Sequence, residues 1–300
     1  MRGKKTKVRL CRSDRIYYAL SYAIVALLTL SVLYPLIYIV SASFSAASAV
    51  NGGHVWLWPV DFSTYSYAYL LSYKTVWMGY GNTLFYTAVG TAINVFVTVL
   101  AAYPLSRRQL VGHGPLMFLF TFTMLFGAGM IPNYINLRSL GMLNTRWALL
   151  LPGAISTYNM IIMRTFMQSS IPGELLEASR LDGCSDAQYL LRVVLPLSKA
   201  VLAVVTMYYA VGHWNSYFSA FLYLSDRRLY PLQIFLRQIL VNSSFDTTDI
   251  TDPDMLAQIQ GLTELLKYSV IVVATAPLLC VYPFVQKHFV KGVMIGSVKG

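Results

Sequence analysis

Of 300 residues, 56% are hydrophobic and only 12% charged, about half the ~25% charge of an ordinary soluble domain, and the mean hydropathy is +0.56. Such a chain has too little polar surface to stay in water. That excludes a soluble domain, a coiled coil and a disordered segment, and leaves an integral membrane protein. The net charge of +11 resembles that of a nucleic-acid binder only until the charges are placed along the chain.

The first element is a basic cytoplasmic tail, residues 1–15, whose Arg2–Arg15 segment meets anionic lipid head groups and sets topology. The apolar run after it is too long for a signal-peptide core and ends without a small-x-small site, so no cleavage is expected. Charge-free stretches then place six spans, because an ionised side chain in hydrocarbon costs several kcal/mol. They are Ile16–Val40, Gly81–Tyr103 within 75–106, Pro115–Ile131 within 109–137, Trp147–Met163, Pro196–Tyr223 and Tyr268–Gln286. The fourth sits at the lower length limit for crossing a ~30 Å core, and the Leu229–Leu236 run is too short to cross. Six spans, residues 16–288 in all, put both termini on one side. Sixteen of the 23 Lys and Arg, but only five of the 12 acids, lie on that side, which makes it cytoplasmic. The predicted fold is therefore an all-α polytopic membrane protein. Pro35, Gly90, Pro132, Pro152, Pro277 and Pro283 fall inside or at the ends of spans, read either as kinks in a packed bundle or as bends lining a pathway.

Between the fourth and fifth spans lies a charged loop, residues 167–195, with its own helical signals. Pro172 suits a first helical turn, and Glu174 and Glu177 complement the positive end of a helix dipole. Asp182-Gly183 reads as a turn that ends this short helix. Ser185 with Gln188 three residues later is a capping box that opens a second one. A loop with this much local structure is built to dock onto something.

Within it, Glu177-Ala178-Ser179, three residues, Gly183, nine residues, Val193, one residue and Leu195-Pro196 resemble the EAA motif of ABC importer permeases, EAA-x3-G-x9-I-x-LP. The departures are Ser179 for Ala and Val193 for Ile. Ile171-Pro172, Leu181-Asp182-Gly183 and the Gly212–Tyr217 stretch around Trp214-Asn215 are similar to the carbohydrate-uptake, maltose-type branch. Ser13-Asp14-Arg15 and Gly127–Pro132 resemble its aldouronate or complex-oligosaccharide subset. The glycine-rich end, Phe289–Gly300, resembles the VKG tail of one of the two permeases in such systems.

This resemblance implies a type I importer permease in a bacterial cytoplasmic membrane, passing a sugar of the oligosaccharide class inward. It implies a second, different permease subunit, two ATPase subunits and an extracytoplasmic solute-binding protein as partners, with ATP and Mg on the ATPase subunits and no cofactor on this chain. Glu177, Ala178, Ser179, Asp182, Gly183, Leu195 and Pro196 would form the ATPase-coupling loop. The tail at 289–300, with Gly296, Ser297, Val298, Lys299 and Gly300, would lie at the ATPase interface. The loop at 224–266 would face the binding protein. The absence of a GxxxxGK[ST] phosphate loop agrees with ATP being handled elsewhere.

Other residues keep two readings. Tyr208, Tyr209, Trp214, Asn215 and Tyr217 offer rings and an amide to a sugar, or form an interfacial aromatic belt and bundle packing. His213 is a packed histidine or a proton relay. Gly79-x-Gly81 and Gly127-x-Gly129 are tight packing and bends, or ligand cradles. Asp246, Asp249, Asp252 and Asp254 are a solvated run or a loose cation site, without the spacing of an EF-hand. Scattered cysteines (Cys11, Cys184, Cys280) and histidines (His54, His113, His213, His288) make no zinc or HExxH pattern, so catalytic and metal residues are expected to be none. The competing functions are a secondary or sugar-phosphorylating transporter and a membrane-embedded carbohydrate enzyme. The first would need ionisable residues inside its spans, and the second a carboxylate or metal cluster.

Overall fold

The computed structural model describes residues 11–107, 109–241 and 253–295, and every regular element among them is helical. The chain divides into two units, Met1–Leu70 with Asn242–Val272 and Leu71–Val241 with Val273–Gly300.

The first unit opens with α1 (Arg12–Ser43), a 32-residue apolar helix exposed along nearly its whole length, as a lipid-facing helix should be. It begins inside the segment predicted as tail, at Arg12 rather than Ile16. Only its last residues, Ser41, Ala42 and Ser43, are buried. There a serine cluster ties down the chain that leaves the helix. Ser41 Oγ donates to the Leu57 carbonyl at 2.7 Å, and Ser45 Oγ accepts from Val60 N at 3.0 Å. α2 (Ala47–Asn51) and α3 (Tyr65–Ser72) follow. The tyrosine of α3 at position 67 donates to Ser43 Oγ at 2.7 Å, and Ala42, Ala49, Val50, Val55 and Leu265 close the small core.

In the second unit most of the packing centres on α4 (Lys74–Leu105). Without a hydrophobic driving force in lipid, helices associate through close van der Waals packing and polar contacts, and α4 supplies both. One set of its positions, Asn82, Thr83, Tyr86, Gly90, Thr91, Asn94 and Thr98, is buried and small or polar. Near its C-terminal end Val99, Ala102 and Leu105 pack with Met160, Met163, Met167, Val201 and Val205. Near its N-terminal end Tyr86 packs with Leu149, Leu150, Ala220, Leu224 and Ile234. From Thr83 to Leu105 the helix rises about 33 Å at 1.5 Å per residue, close to the ~30 Å of a bilayer core.

The helices after α4 are more broken than hydropathy implies. The third predicted span is two helices, α5 (His113–Leu125) and α6 (Met130–Ser139), bent by 111°. Gly129 sits at the bend with φ +84°, so the Gly127-x-Gly129 pair marks a bend. The fourth predicted span, Trp147–Met163, is not one helix. α7 (Trp147–Leu150) stops, Pro152 and Gly153 lie in the gap, and α8 (Thr157–Ser170) restarts with Ser156 as N-cap. α9 (Glu174–Leu181), α10 (Asp186–Tyr189) and α11 (Leu195–Leu197), with a π-helical turn at Leu190–Val194, form the loop region. The fifth span begins at Lys199 rather than Pro196. α12 (Lys199–Trp214) ends at Asn215, and α13 (Phe218–Tyr223) is a separate turn.

A 3-10 turn at Arg227–Leu229 and α14 (Leu232–Val241) occupy part of the predicted 224–266 loop. The sixth predicted span extends at both ends into α15 (Pro253–Ile295), which runs through Pro277 and Pro283. Three helices among the described residues are long and apolar enough to cross a membrane, Arg12–Ser43, Lys74–Leu105 and Gly261–Cys280, and five if each of two bent pairs is one crossing.

Candidate functional site

The predicted coupling segment is built by its own sequence. α9 ends in a Schellman motif, in which Cys184 N donates to Ser179 O at 2.9 Å and Gly183 N to Arg180 O at 3.1 Å. That closure requires a left-handed residue, and Gly183 has φ +73°. α10 then opens on the expected reciprocal capping box. Gln188 N donates to Ser185 Oγ at 3.3 Å and Ser185 N to Gln188 Oε1 at 3.0 Å. Pro172 lies just before the helix rather than in its first turn, and its carbonyl accepts from Leu175 N at 3.3 Å. Ser179 is buried and donates to Leu176 O at 2.8 Å, while Glu177, Ala178, Asp182, Gly183 and Pro196 are exposed and Leu195 is half-buried. The tip carries Leu181 at 91% exposure, an apolar side chain standing free at the end of a charged helix.

This element is fastened to the C-terminal end of α4. The Arg107 guanidinium lies 4.6 Å over the Tyr103 ring and 5.1 Å from that of Tyr189. It donates to Tyr103 Oη and reaches Asp186 Oδ1 at 3.5 Å, while Tyr103 Oη donates to the Asp186 carbonyl at 3.2 Å. On the other side Arg164 donates to the Leu105 carbonyl at 3.1 Å and lies 3.1 Å from His113 Nε2. A cavity of about 250 Å³ opens between these parts, lined by Arg107, Gln168, Ile171, Pro172, Leu176 and Tyr189 among others.

At the opposite end of α4, side chains on the helix capture the chain that follows α13. Asn82 Nδ2 donates to the carbonyls of Arg228 (2.7 Å) and Tyr230 (3.0 Å), Tyr86 Oη to that of Leu229 (2.9 Å), and Thr83 Oγ1 accepts from Leu232 N at 2.9 Å. Gly79 allows α14 to come close, since a Cβ there would stand 2.8 Å from Phe235 Cδ2 and 3.0 Å from Leu232 Cα. The Gly79 position is thus tight packing. Asn144 Oδ1 accepts from Ser225 N and Asp226 N at 3.0 and 2.7 Å. Hydrogen bonds from the Arg228 side chain, then from its backbone, hold the Asp226 carboxyl below the ordinary carboxylate range.

The candidate sugar contacts separate. Tyr209 is buried, with its hydroxyl 2.7 Å from Thr98 Oγ1 and accepting from Ser156 N at 2.9 Å. Trp214 is buried and donates to the Ala274 carbonyl at 3.0 Å. His213 is packed, 2.6 Å from Asn94 Oδ1. All three side chains have hydrogen-bonding partners within the chain. Tyr208 packs near Tyr158, with ring centroids 6.4 Å apart. Asn215 is exposed, and Tyr217 lies under the Arg237 guanidinium at 4.7 Å.

Gly296–Gly300, Asp246, Asp249 and Asp252 lie outside the described residues, as does the side chain of Asp254. Among the described residues no group of three or more metal-ligating side chains occurs. Reading the sequence span by span misses Arg107, Arg237 and the polar positions of α4. The available signal was Asn82, Tyr86, Gly90, Asn94 and Thr98, spaced by four residues inside an apolar run.

The model of the family described as binding-protein-dependent transport system inner membrane component matches residues 11–295. The chain is 42% identical over 287 residues to the polygalacturonan/rhamnogalacturonan transport system permease protein YtcP of Bacillus subtilis (strain 168), covering 96% of this chain and 99% of that one. It is 43% identical over 267 residues to protein LplC of the same organism, covering 89% of each. A chain from the crystal structure of a bacterial ABC transporter involved in the import of the acidic polysaccharide alginate superposes with a TM-score of 0.84 at 36% identity, covering 94% of this chain and 100% of that one. YtcP and the alginate-importer chain are transport proteins rather than enzymes, and the fold is that of a type I ABC importer permease. The chain belongs to the family of binding-protein-dependent transport system inner membrane components.

Proposed function

We propose that this chain is one of two different permease subunits of an importer for uronate-bearing oligosaccharides, driven by ATP hydrolysis on a pair of partner ATPase subunits. The observation that carries the reading is the coupling element. A short helix, a left-handed Gly183 and a capped second helix are pinned to the end of α4, with Glu177, Leu181 and Asp182 left exposed. An apolar tip ringed by charge suits a partner's groove. In this reading Glu177, Ala178, Ser179, Asp182, Gly183, Leu195 and Pro196 receive the ATPase movement, and Arg107 passes it to α4. Gly296, Ser297, Val298, Lys299 and Gly300 approach the ATPase subunits, which hold ATP and Mg; this chain binds no cofactor.

The domain reading stays that of a tail at 1–15, six crossings within 16–288 and a second tail at 289–300, with both termini cytoplasmic. The bent α5–α6 pair and the interrupted α7–α8 pair count as one crossing each. Backbone breaks at membrane depth are tolerated where protein satisfies the freed groups, and Asn94 and Tyr209 do this for Gly153 O and Ser156 N. The end of α4 that holds α14 then faces outward, toward a solute-binding protein. The substrate class is taken from relatives named for polygalacturonan and for the acidic polysaccharide alginate.

The test is reconstitution. Alone in proteoliposomes the chain should hydrolyse no ATP. With a second permease, the ATPase pair and a binding protein loaded with trigalacturonate, it should couple ATP turnover to uptake. ATP turnover by the chain alone, free of contaminating subunits, would reject the division of labour. Coupled uptake of neutral oligosaccharides only would reject the substrate class.

A further inference from the structure

At the outward end of the second unit, Tyr217 and Phe221 stack with centroids 5.9 Å apart and planes 25° apart, forming a shelf at the start of α13. The Arg237 guanidinium of α14 lies over it, 4.7 Å from the Tyr217 centroid and 5.4 Å from that of Phe221. The arginine is exposed, as is Phe221 at 57%, and Asn215 is exposed two residues before the shelf. Among the described residues no carboxylate pairs with Arg237.

The arginine is not on a loose loop. Ile234, Phe235 and Leu236 beside it are buried, Leu232 N is held by Thr83, and the close approach at Gly79 fixes α14 on α4. A guanidinium whose face is engaged by aromatic rings keeps its in-plane N–H donors for another partner, and their fork matches a carboxylate.

We infer that Arg237, seated on Tyr217 and Phe221, is a recognition site for the carboxylate of a uronic-acid residue in the transported oligosaccharide. The exposed part of Phe221 offers apolar contact to the C–H groups of a pyranose ring, and the Asn215 amide suits its hydroxyls. An acidic side chain of the binding protein would need only the charge, whereas the ring shelf and amide beside it fit a sugar. The assignment rests on the uronate-importer reading above and adds the residues that read the charge.

The experiment uses the complete importer with its binding protein in proteoliposomes and trigalacturonate as probe. No uptake by the wild type would strike the substrate reading rather than this site. Given wild-type uptake, Arg237→Gln should lower it at saturating loaded binding protein on the order of tenfold or more, the scale of a lost charge-assisted hydrogen-bond pair. Arg237→Lys keeps the charge without the planar fork and should fall between. If the glutamine variant does not assemble, the lysine variant carries the test, and wild-type uptake by it overturns the assignment. A loss that tracks weaker capture of the binding protein by the purified importer also overturns it, because the guanidinium would then be pairing with a protein acid.

Discussion

His213 Nε2 lies 2.6 Å from Asn94 Oδ1, across the seam between α12 and α4. One turn along, Tyr209 Oη and Thr98 Oγ1 are 2.7 Å apart, so the antiparallel helices are locked in register at two successive i, i+4 positions. Asn94 and Tyr209 each have a second duty. Asn94 donates to Gly153 O, and Tyr209 accepts from Ser156 N. The seam thus closes the backbone gap between α7 and α8 as well as joining two helices.

Tyr209→Phe tests that second duty. It keeps the ring and leaves Ser156 N and Thr98 Oγ1 without their partner. Interhelical hydrogen bonds in membranes contribute about 0.6 kcal/mol on average and up to ~1.7, and an orphaned backbone N–H adds to that. The expected cost is about 1–2 kcal/mol, read as a lower thermal midpoint of the purified protein in detergent. An unchanged midpoint would mean that water or another group serves Ser156 N.

Gly90 is the packing counterpart of the same seam. A Cβ on it would stand 2.8 Å from His213 Cδ2, 2.5 Å from its Cε1 and closer still to its Nε2, whereas one on Gly81 meets nothing within 4 Å. Gly90→Ala should therefore destabilise by about 1–3 kcal/mol through overpacking. Gly81→Ala should be neutral or slightly stabilising, since Ala is the better helix former. Equal midpoints for the two variants would remove the steric argument.

Arg107 lets two effects be ranked. Its ion pair with Asp186 is 3.5 Å long, and the Asp186 side chain is 69% exposed, a class of pair that contributes about 0–1 kcal/mol. The contacts with the Tyr103 and Tyr189 rings and the Tyr103 hydroxyl are more protected, with the arginine side chain 19% exposed. Asp186→Asn should leave sugar moved per ATP within about twofold of wild type. Arg107→Ala should lower that ratio severalfold while the ATPase subunits stay bound. The reverse ranking would make the ion pair, rather than the stack, the connection to α4.

What the sequence made legible follows from how far each signal reaches. Ser185 and Gln188 are three residues apart, and the capping box they predict is present. Asp182-Gly183 is a local signal, and the left-handed turn is there. α1 and α4 are long apolar runs, and both are single helices. Hydropathy averages over a window, so it does not register the interruption at Pro152-Gly153, where the polar backbone groups are met by Asn94 and Tyr209, 59 and 53 residues away in the chain. For the same reason Arg237, between Leu236 and Gln238, reads as an isolated loop charge until α14 folds it over Tyr217.

The coupling turn gives the sharpest test. Gly183 has φ +73°, and an added Cβ would meet nothing within 4 Å, so a side chain there is opposed by the backbone conformation and not by crowding inside the chain. A non-glycine residue in the left-handed region costs about 1–2 kcal/mol, and the Schellman bonds from Cys184 N and Gly183 N depend on that conformation. Gly183→Asn, which tolerates the left-handed region, should keep the turn. Gly183→Asp, which presents a charge where the tip meets its partner, should strip the ATPase subunits from the purified permease pair and abolish uptake, with membrane insertion unaffected. Glu177→Ala removes a favourable dipole contact of about 0.3–1 kcal/mol at the helix N-terminus and should reduce uptake only modestly. The readout is ATPase retention on the affinity-purified complex together with oligosaccharide uptake. Full retention and full uptake by Gly183→Asp would show that this turn does not face the ATPase, and the coupling role of Glu177–Gly183 would fall with it.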